Sequence, residues 1–415
     1  MNNVTTYPLE AFDLVQLLFN KYHDHQIHGA IELDGHINGN TLFDAVKESA
    51  KDLPQIFCRL KNNRWIPIDV KLSDIIKIIR CDLTANDIES ALKHGVDIKN
   101  GPQISISILR GPENDVLCIV INNMLCDGAA FKSYLYLLCT LYNHITDSEK
   151  TNILFSPVKR DLSCLINSVK NIKTEKVNKP KIDLGILAHN FEGNEANPRI
   201  ITTCIDESDF LKLKNYSKAS GVTLNDMFLA SYFITLHKLW NNDVKAIACA
   251  VELRKYLHNK TAPGLCNLTS NLVCTVESCN DSFKSMLKQV SESMKIQKNN
   301  TSCLNDVFLL NKAYKYLPYA ISKKLISKVL TNPPIAISNI GLIDDKKLKF
   351  KNLTVKSSFI TGAIKHVPNF QVAITTFKNR VTLSTNMFAS EKDEKDIKEF
   401  LNFFKNELLK ECRTI

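Results

Sequence analysis

One stretch in the first third of the chain strongly constrains the fold. The segment "VLCIVINN" is apolar until it ends in two adjacent amides, Asn122 and Asn123, which is the pattern of a buried strand. Asp127-Gly128 then opens "GAAFKSYLYLLCTLYNHI", which has the length and apolar content of a helix. The preceding "PQISISILRG" alternates polar and apolar residues, as a half-buried strand does. Neighbouring strands followed by a returning helix predict a mixed α/β protein.

The length of the chain predicts two domains. A chain of 415 residues exceeds one ordinary hydrophobic core, so we expect two lobes of roughly 150–200 residues each. The N-terminal lobe is predicted over 1–170 and the C-terminal lobe over 198–415. Between them, 171–197 is predicted to be a linker because it begins with the polar run "NIKTEKVNKPKID".

Local signals predict individual turns and helices. Asn62-Asn63 and Lys378-Asn379 are expected to form hairpin turns between strands. Pro318 is expected to interrupt a helical region, since proline lacks the N–H that a helix interior requires. Glu391–Lys410 is predicted to be an amphipathic helix.

Composition narrows the class of protein. Hydrophobic residues make up 44% and charged residues 23%, as in soluble globular enzymes. The net charge of +10 comes from scattered lysines, which favours a solvated surface with a mild preference for anionic partners such as coenzyme A or an acidic carrier protein. No aromatic-basic stripe is present, so no nucleic-acid partner is expected.

Three sequence features predict the cellular compartment and the absence of a metal site. They are the cysteines, the histidines and the lengths of the apolar runs. The 13 cysteines include no Cys-x-x-Cys pair and are interpreted as reduced thiols of a cytoplasmic protein. His23 and His25 in "YHDHQ" have no third ligand nearby, so they are interpreted as part of a solvated loop and no metal site is expected. The apolar runs fall short of the ~20 residues that span a bilayer, so no transmembrane segment is expected.

Several segments together resemble the chloramphenicol-acetyltransferase-like superfamily, which includes peptide-synthetase condensation domains and alcohol acyltransferases. The family signature is His-His-x-x-x-Asp-Gly, and "NNMLCDG" (Asn122–Gly128) fits its frame with asparagine in place of both histidines. "VELRKYL" resembles the arginine-bearing strand of the family, and "ISNIG" resembles its Ser-Asn-x-Gly segment. "PNFQVAITTFKNRVTLSTNMF" is similar to its final strand pair. The matching segments keep the family order and span most of the chain.

The resemblance implies an α/β fold of two lobes in a V-shaped arrangement, with mixed, largely antiparallel sheets and a tunnel between them. An acyl donor, either acyl-CoA or a phosphopantetheine thioester on a carrier protein, would enter one side of the tunnel. A small amine or alcohol acceptor would enter the other side. These are co-substrates, and no bound cofactor is expected. The resemblance also implies a monomer.

The resemblance assigns roles to the residues of the signature. Asn123 matches the histidine that removes the acceptor's proton, but a carboxamide can only hydrogen-bond, whereas imidazole with a pKa of about 6.5 accepts protons near neutral pH. Asn122 is expected to tie the loop to backbone groups. Asp127 is expected to form an architectural ion pair with Arg254, with an exposed helix cap as the alternative. Gly128 is expected to permit a tight turn into the helix.

Further candidates lie outside the signature. Ser338 and Asn339 match the family segment that lines the tunnel and can hydrogen-bond an acyl carbonyl, although a simple strand-end turn explains them equally well. His366 precedes the last strand pair and is a candidate substrate-binding residue or substitute base, with a packing role as the alternative. Cys126 has no visible neighbour that lowers its pKa, so it is interpreted as a buried apolar residue.

Three functions stay open. The first is a condensation-domain-like acyltransferase in secondary or lipid metabolism, including natural product biosynthesis. The second is a catalytically degenerate relative that binds a carrier protein or an acyl compound. The third is a different reaction in the same tunnel, such as cyclisation or elimination. The paired asparagines favour the second and third, whereas the retained Asp-Gly and Arg254 favour a working site, and the fold does not decide between them. We place acyl transfer first.

Overall fold

A computed structural model describes most of the chain. The described residues are 5–147, 160–170, 186–187, 189–258, 260, 264–279, 282–299, 301, 303–330 and 332–413. Most of the linker predicted over 171–197 lies outside these ranges, because 171–185 and 188 are not described. The predicted lobe boundaries therefore stay a prediction.

The described residues form strands and helices in alternation. The strands are β1 (Tyr7–Pro8), β2 (Gln26–Leu33), β3 (Cys58–Lys61), β4 (Arg64–Pro67), β5 (Ile76–Arg80), β6 (Ile104–Arg110), β7 (Asp115–Asn122), β8 (Pro198–Ile205), β9 (Ala246–Glu252), β10 (Thr269–Thr275), β11 (Ile335–Leu342), β12 (Val355–Thr361), β13 (Phe370–Phe377) and β14 (Arg380–Phe388). The α-helices are α1 (Ala11–Leu18), α2 (Gly39–Ser49), α3 (Leu72–Ile75), α4 (Ala85–Leu92), α5 (Gly128–Asp147), α6 (Ser163–Val169), α7 (Glu207–Ala219), α8 (Leu224–Trp240), α9 (Phe283–Asn299), α10 (Cys303–Tyr316), α11 (Tyr319–Val329) and α12 (Glu391–Lys410).

These strands build two large sheets and one small sheet. The five-stranded sheet has the order β12-β2-β7-β6-β5, and the six-stranded sheet has the order β10-β9-β11-β13-β14-β8. Most neighbours are antiparallel; β5 is parallel to β6, and β11 is parallel to both β9 and β13. A small sheet, β1-β4-β3, lies beside them. The sheets are therefore mixed and largely antiparallel, as the sequence predicts.

Burial explains why the segment around β7 folds as predicted. Every residue of β7 is buried, and its neighbour β6 is buried except at two positions. Helix α5 buries Phe131, Tyr134 and Leu138, and burying a side chain of this size contributes about 1.5–3 kcal/mol. Strand β2 pairs with β7 so that Gln26 lies opposite Asn122. The packed sheet thus ends at the two asparagines.

The six-stranded sheet has its own helical cover. Helix α8 is buried over most of its length and begins at Thr223, whose hydroxyl accepts a hydrogen bond from the Asp226 backbone N–H. Tyr232 of α8 and Phe370 of β13 pack against Phe400 of α12. Aromatic contacts of this kind contribute about 0.5–1.5 kcal/mol beyond the area they bury.

One strand of the second half belongs to the first sheet. Strand β12 follows residue 198 in sequence but pairs with β2 in the five-stranded sheet. The following residues then return to the six-stranded sheet, since Lys365 pairs with Met387 beside β14. The chain therefore joins the two sheets at residues 361–366.

The local predictions are confirmed. Asn62 and Asn63 have φ of 50° and 59°, and Lys378 and Asn379 have φ of 45° and 58°, as a tight hairpin turn requires. Pro318 separates α10 from α11, and α12 has the predicted bounds. No helix among the described residues is long and apolar enough to cross a membrane.

Candidate active site

A cavity of about 190 Å³ lies where elements of the two large sheets meet. Its wall includes α1 and β2 on one side, and β9, β10, β11 and β13 on the other. Among its polar lining residues are Gln16, His23, Asn123, Asp127, Asn267, Thr269, Ser270, Asn271, Asn332, Ser338, Lys365, Asn369 and Gln371. Amides dominate this set, so the cavity offers many hydrogen bonds and few charges.

The two asparagines at the end of β7 have different surroundings. Asn122 is fully buried; its Nδ2 donates to Gln103 Oε1 at 2.6 Å, and its Oδ1 accepts from the Met124 N–H at 2.9 Å. This amide holds the loop Asn122–Gly128, which we call the motif loop. Asn123 is only partly buried and lines the cavity, and its Nδ2 makes one long contact of 3.4 Å to Gln16 Oε1. The amide of Asn123 is therefore free to contact a ligand.

Asp127 and Arg254 form a buried ion pair at the far end of the motif loop. Arg254 Nη1 lies 2.9 Å from Asp127 Oδ2, and their side chains are 9% and 5% exposed. Asp127 Oδ1 also accepts from the Ala130 N–H at 2.8 Å, so the same carboxylate caps α5. Its Oδ2 accepts from the Leu268 N–H at 2.7 Å and the Thr269 hydroxyl at 3.0 Å. Burial alone would lower the pKa of Arg254, but the Asp127 charge and hydrogen bonds raise it.

A second arginine, which the sequence analysis missed, holds the middle of the loop. Arg160 donates to the Met124 carbonyl at 2.9 Å and forms an ion pair with Asp13 at 2.6 Å. Asp13 also accepts from Trp65 Nε1 at 3.1 Å. Arg160 is distant in sequence from each of these partners, and no local pattern marks it.

The structure separates the candidates from "ISNIG". Ser338 lines the cavity, whereas Asn339 is exposed and donates from Nδ2 to Asn225 Oδ1 at 3.3 Å. Successive strand residues point to opposite faces, so both cannot face the cavity. Of this pair, the structure brings only Ser338 to the site.

Gly128 serves close packing rather than a special backbone angle. Its φ is not positive, so the tight turn itself does not require glycine. A Cβ at this position would lie 3.2 and 3.3 Å from two carbons of Ile340 on β11. Glycine therefore lets the start of α5 approach the six-stranded sheet.

His366 does not line the cavity. Its Nδ1 contacts Glu195 Oε1 at 2.7 Å, and its ring stacks on Phe388. Lys365, the preceding residue, lines the cavity instead. Cys126 is fully buried, and burial raises the pKa of its thiol, so it lacks the character of a nucleophile.

Residues 22–25 and 363–366, which pair with each other and which we call the facing segments, form a wall of the cavity beside the motif loop. Their backbones are joined by hydrogen bonds from the Asp24 N–H to the Ile364 carbonyl at 3.0 Å and from the His366 N–H to the Tyr22 carbonyl at 2.9 Å. His23 lies directly opposite Lys365 in an antiparallel bridge. The His25 carbonyl accepts from the Asn123 N–H at 2.6 Å, which ties this wall to the motif loop.

The side chains of the facing segments correct the interpretation of His23 and His25 as a solvated loop. His23 is 5% exposed and Lys365 is 8% exposed, and both line the cavity. Burial lowers the pKa of His23 well below its usual range, and the Lys365 ammonium lowers it further. Burial also lowers the pKa of Lys365 to about 8, and of His25 to about 4. Sequence reasoning missed this wall because it forms only when β12 returns past the end of β2.

No group of three His, Cys, Asp or Glu side chains in the described part of the chain is placed to hold a metal ion. The polar groups that line the cavity are amides, the hydroxyls of Thr269, Ser270 and Ser338, one buried carboxylate, one imidazole and one ammonium.

Solved structures with the same architecture cover nearly the whole chain. Polyketide synthase associated protein 5 from Mycobacterium tuberculosis matches with a TM-score of 0.68 and 13% identity, over 98% of this chain and 97% of that one. The trichothecene 15-O-acetyltransferase TRI3 from Fusarium sporotrichioides matches with a TM-score of 0.68 and 12% identity, over 97% and 94%. The epimerization domain from the third module of tyrocidine synthetase B matches with a TM-score of 0.66 and 12% identity, over 99% and 96%.

These matches define the class of fold. The chain has the two-lobed α/β fold of condensation domains and chloramphenicol-acetyltransferase-like acyltransferases, and the predicted fold class is confirmed. No family model matches the sequence, and no curated protein matches it. At 11–13% identity, these structures share the fold and not a demonstrated reaction.

Proposed function

We propose that this protein is a condensation-domain-like acyltransferase of secondary or lipid metabolism, such as natural product biosynthesis. It moves an acyl group from a coenzyme A or carrier-protein thioester to an amine or alcohol. The observation that carries the proposal is the cavity itself, in which Asn123 and Ser338 come from opposite sheets of an acyltransferase-like fold.

The chemistry of Asn123 fits part of this role. When an acceptor attacks a thioester, negative charge develops on the carbonyl oxygen, and a positioned N–H donor stabilises it. Asn123 Nδ2 has one long contact and can supply such a donor. It cannot take the acceptor's proton, because an amide is not basic at neutral pH. Loss of a general base typically costs ~10²–10⁴ in rate.

The same observation supports a second candidate. A cavity that keeps its architecture but has asparagine at both signature positions also suits a module that binds an acyl compound or carrier protein without turnover. A different reaction in the tunnel, such as cyclisation or elimination, would need the same cavity. The measurement that distinguishes the first two candidates is therefore whether the protein turns over an acyl donor or only binds it.

Release of thiol from acyl-CoA donors of several chain lengths, offered with amines and alcohols, tests the proposal. We expect acceptor-dependent thiol release by the wild type. Asn123→Ala removes the cavity amide, and we expect kcat to fall about 10²-fold, the usual cost of removing one oxyanion donor. Asn339→Ala is the matched control, because that amide is exposed and outside the cavity.

The outcomes separate the candidates. A silent wild type that gains turnover in Asn123→His would contradict native acyl transfer and favour a binding module on a catalytic scaffold. Equal activity in wild type and Asn123→Ala would remove Asn123 from the mechanism while leaving acyl transfer in place.

A further inference from the structure

The cavity contains an imidazole that the signature does not include. His23 lies in the bridge that follows α1, and it is 5% exposed. His23 lines the same cavity as Asn123. The neighbouring His25 carbonyl binds the Asn123 N–H at 2.6 Å, so the two residues belong to adjacent, hydrogen-bonded segments.

The hydrogen bonding of His23 fixes its tautomer. Nδ1 contacts the carbonyl oxygen of Asp24, so this nitrogen carries the proton and donates. Among the described residues, Nε2 has no hydrogen-bond partner. It is also not one of the fully buried side-chain atoms that lack a partner. A neutral imidazole with its proton on Nδ1 has a free lone pair on Nε2. That arrangement is what a general base requires.

The charged and titratable groups around His23 keep it neutral. Lys365 lies opposite it in the bridge, and His25 and His366 flank the two facing segments. All three act in the same direction as burial, which lowers the pKa of His23, whereas its hydrogen bond to the Asp24 carbonyl opposes the shift. The Asp24 carboxylate accepts from the Ile364 and Gln26 N–H groups instead. His23 is therefore unprotonated at neutral pH.

We propose that Nε2 of His23 is the proton acceptor of this cavity, in place of a base in the motif loop. The proposal rests on the proposed acyl transfer. The acceptor N–H or O–H gives its proton to Nε2 as the new C–N or C–O bond forms and the thioester carbonyl becomes an oxyanion. When the oxyanion collapses, the C–S bond breaks, and the proton passes from Nε2 to the departing thiolate.

Because Nδ1 and Nε2 of His23 have different roles, one substitution can remove the proton acceptor and keep the structural hydrogen bond. His23→Asn retains an amide N–H that can reach the Asp24 carbonyl, but it has no counterpart of Nε2. We expect its kcat to fall ~10²–10⁴-fold with little change in KM. The wild-type rate should fall only in acid, below the ordinary histidine pKa of 6.5, and the variant should lose this acid limb. His94→Gln, at an exposed histidine outside the cavity, is the control and should keep both the rate and the profile.

Two measurements do not depend on the thioester reaction. In ¹⁵N NMR spectra at pH 7, His23 should be neutral with its proton on Nδ1, and a protonated ring or a proton on Nε2 would overturn the proposal.

Hydrolysis of p-nitrophenyl acetate needs no amine or thioester, and the wild-type rate should exceed both the rate of His23→Asn and the rate in buffer. If wild type hydrolyses this ester but transfers no acyl group, the proposed function fails while the base assignment stands. If His23→Asn equals wild type, the base assignment fails.

Discussion

The motif loop and the facing segments form neighbouring walls of one cavity, and they differ in how fully their polar side chains are hydrogen-bonded. In the motif loop every oxygen of Asp127 is hydrogen-bonded, and Asn122 is held by Gln103. In the facing segments, the side chains of His23 and Lys365 are nearly as deeply buried but keep free polar atoms at the cavity. Apart from the amide of Asn123, the polar side chains named in the motif loop have hydrogen-bond partners, whereas the facing segments keep free polar atoms.

This difference shows where stability and chemistry reside. A buried charge is tolerated when a partner and hydrogen bonds compensate its desolvation, as at Asp127. A buried charge that is compensated only in part shifts its pKa instead: burial lowers the pKa of Lys365 to about 8, and the Asp24 carboxylate opposes this shift. Uncompensated titratable groups in a cleft are typical of functional sites. The motif loop is therefore mainly an anchor, and the facing segments carry the titratable chemistry.

The largest expected effect comes from breaking the anchor. Arg254→Met leaves the Asp127 carboxylate buried without its counter-charge, and we expect the free energy of unfolding to fall by about 3–5 kcal/mol. Urea denaturation measures this loss. Lys47→Ala removes an exposed ion pair with Asp44 and serves as the control, with an expected change of about 0–1 kcal/mol. Similar losses in the two variants would contradict the anchoring role.

Removing the Lys365 ammonium, which Asp24 compensates only in part, should stabilise the protein. The pKa of Lys365 is about 8 in the folded protein against 10.5 when unfolded, so the folded state binds fewer protons between these values and stability rises with pH there. Lys365→Met removes the penalty, and we expect a gain of about 3 kcal/mol at pH 7. The gain should shrink as pH rises from about 8 towards 10. A loss of stability at pH 7 would show that the Asp24 carboxylate compensates the ammonium in full and would contradict this prediction.

The smallest expected effect concerns the packing of the motif loop on the second sheet. Gly128→Ala places a Cβ 3.2 Å from Ile340, and overpacking of this kind costs about 1–3 kcal/mol. Ile340→Ala removes both γ-carbons at the contact, so the double variant should recover part of the loss. Thermal unfolding of both single variants and the double variant gives the coupling between the two positions. Additive losses would mean that the Cβ is accommodated elsewhere.

The anchor was predicted from two kinds of signal. An apolar strand, an Asp-Gly pair and a long helix are local signals that share one continuous stretch. The pairing of Asp127 with the distant Arg254 was implied by the family resemblance of "VELRKYL". Asn62-Asn63 and α12 were likewise predictable from turn chemistry and helical periodicity.

The facing segments could not be predicted in this way. His23 and Lys365 are far apart in sequence and meet only because β12 pairs with β2 and the chain then returns beside β14. From the sequence, "YHDHQ" has the composition of a solvated loop, and burial is a property of the assembled sheets. His366 was the preferred histidine near the cavity, but its ring turns to Glu195 and the adjacent Lys365 faces the cavity.

A crystal structure with an unreactive ketone analogue of an acyl-CoA, in which a methylene group separates the sulfur from the carbonyl, tests the account most directly. We expect the acyl carbonyl oxygen within hydrogen-bonding distance of Asn123 Nδ2, with the reacting carbon on the side of the cavity that faces His23 Nε2. An analogue bound outside this cavity, or bound within it with its carbonyl remote from both residues, would contradict the account.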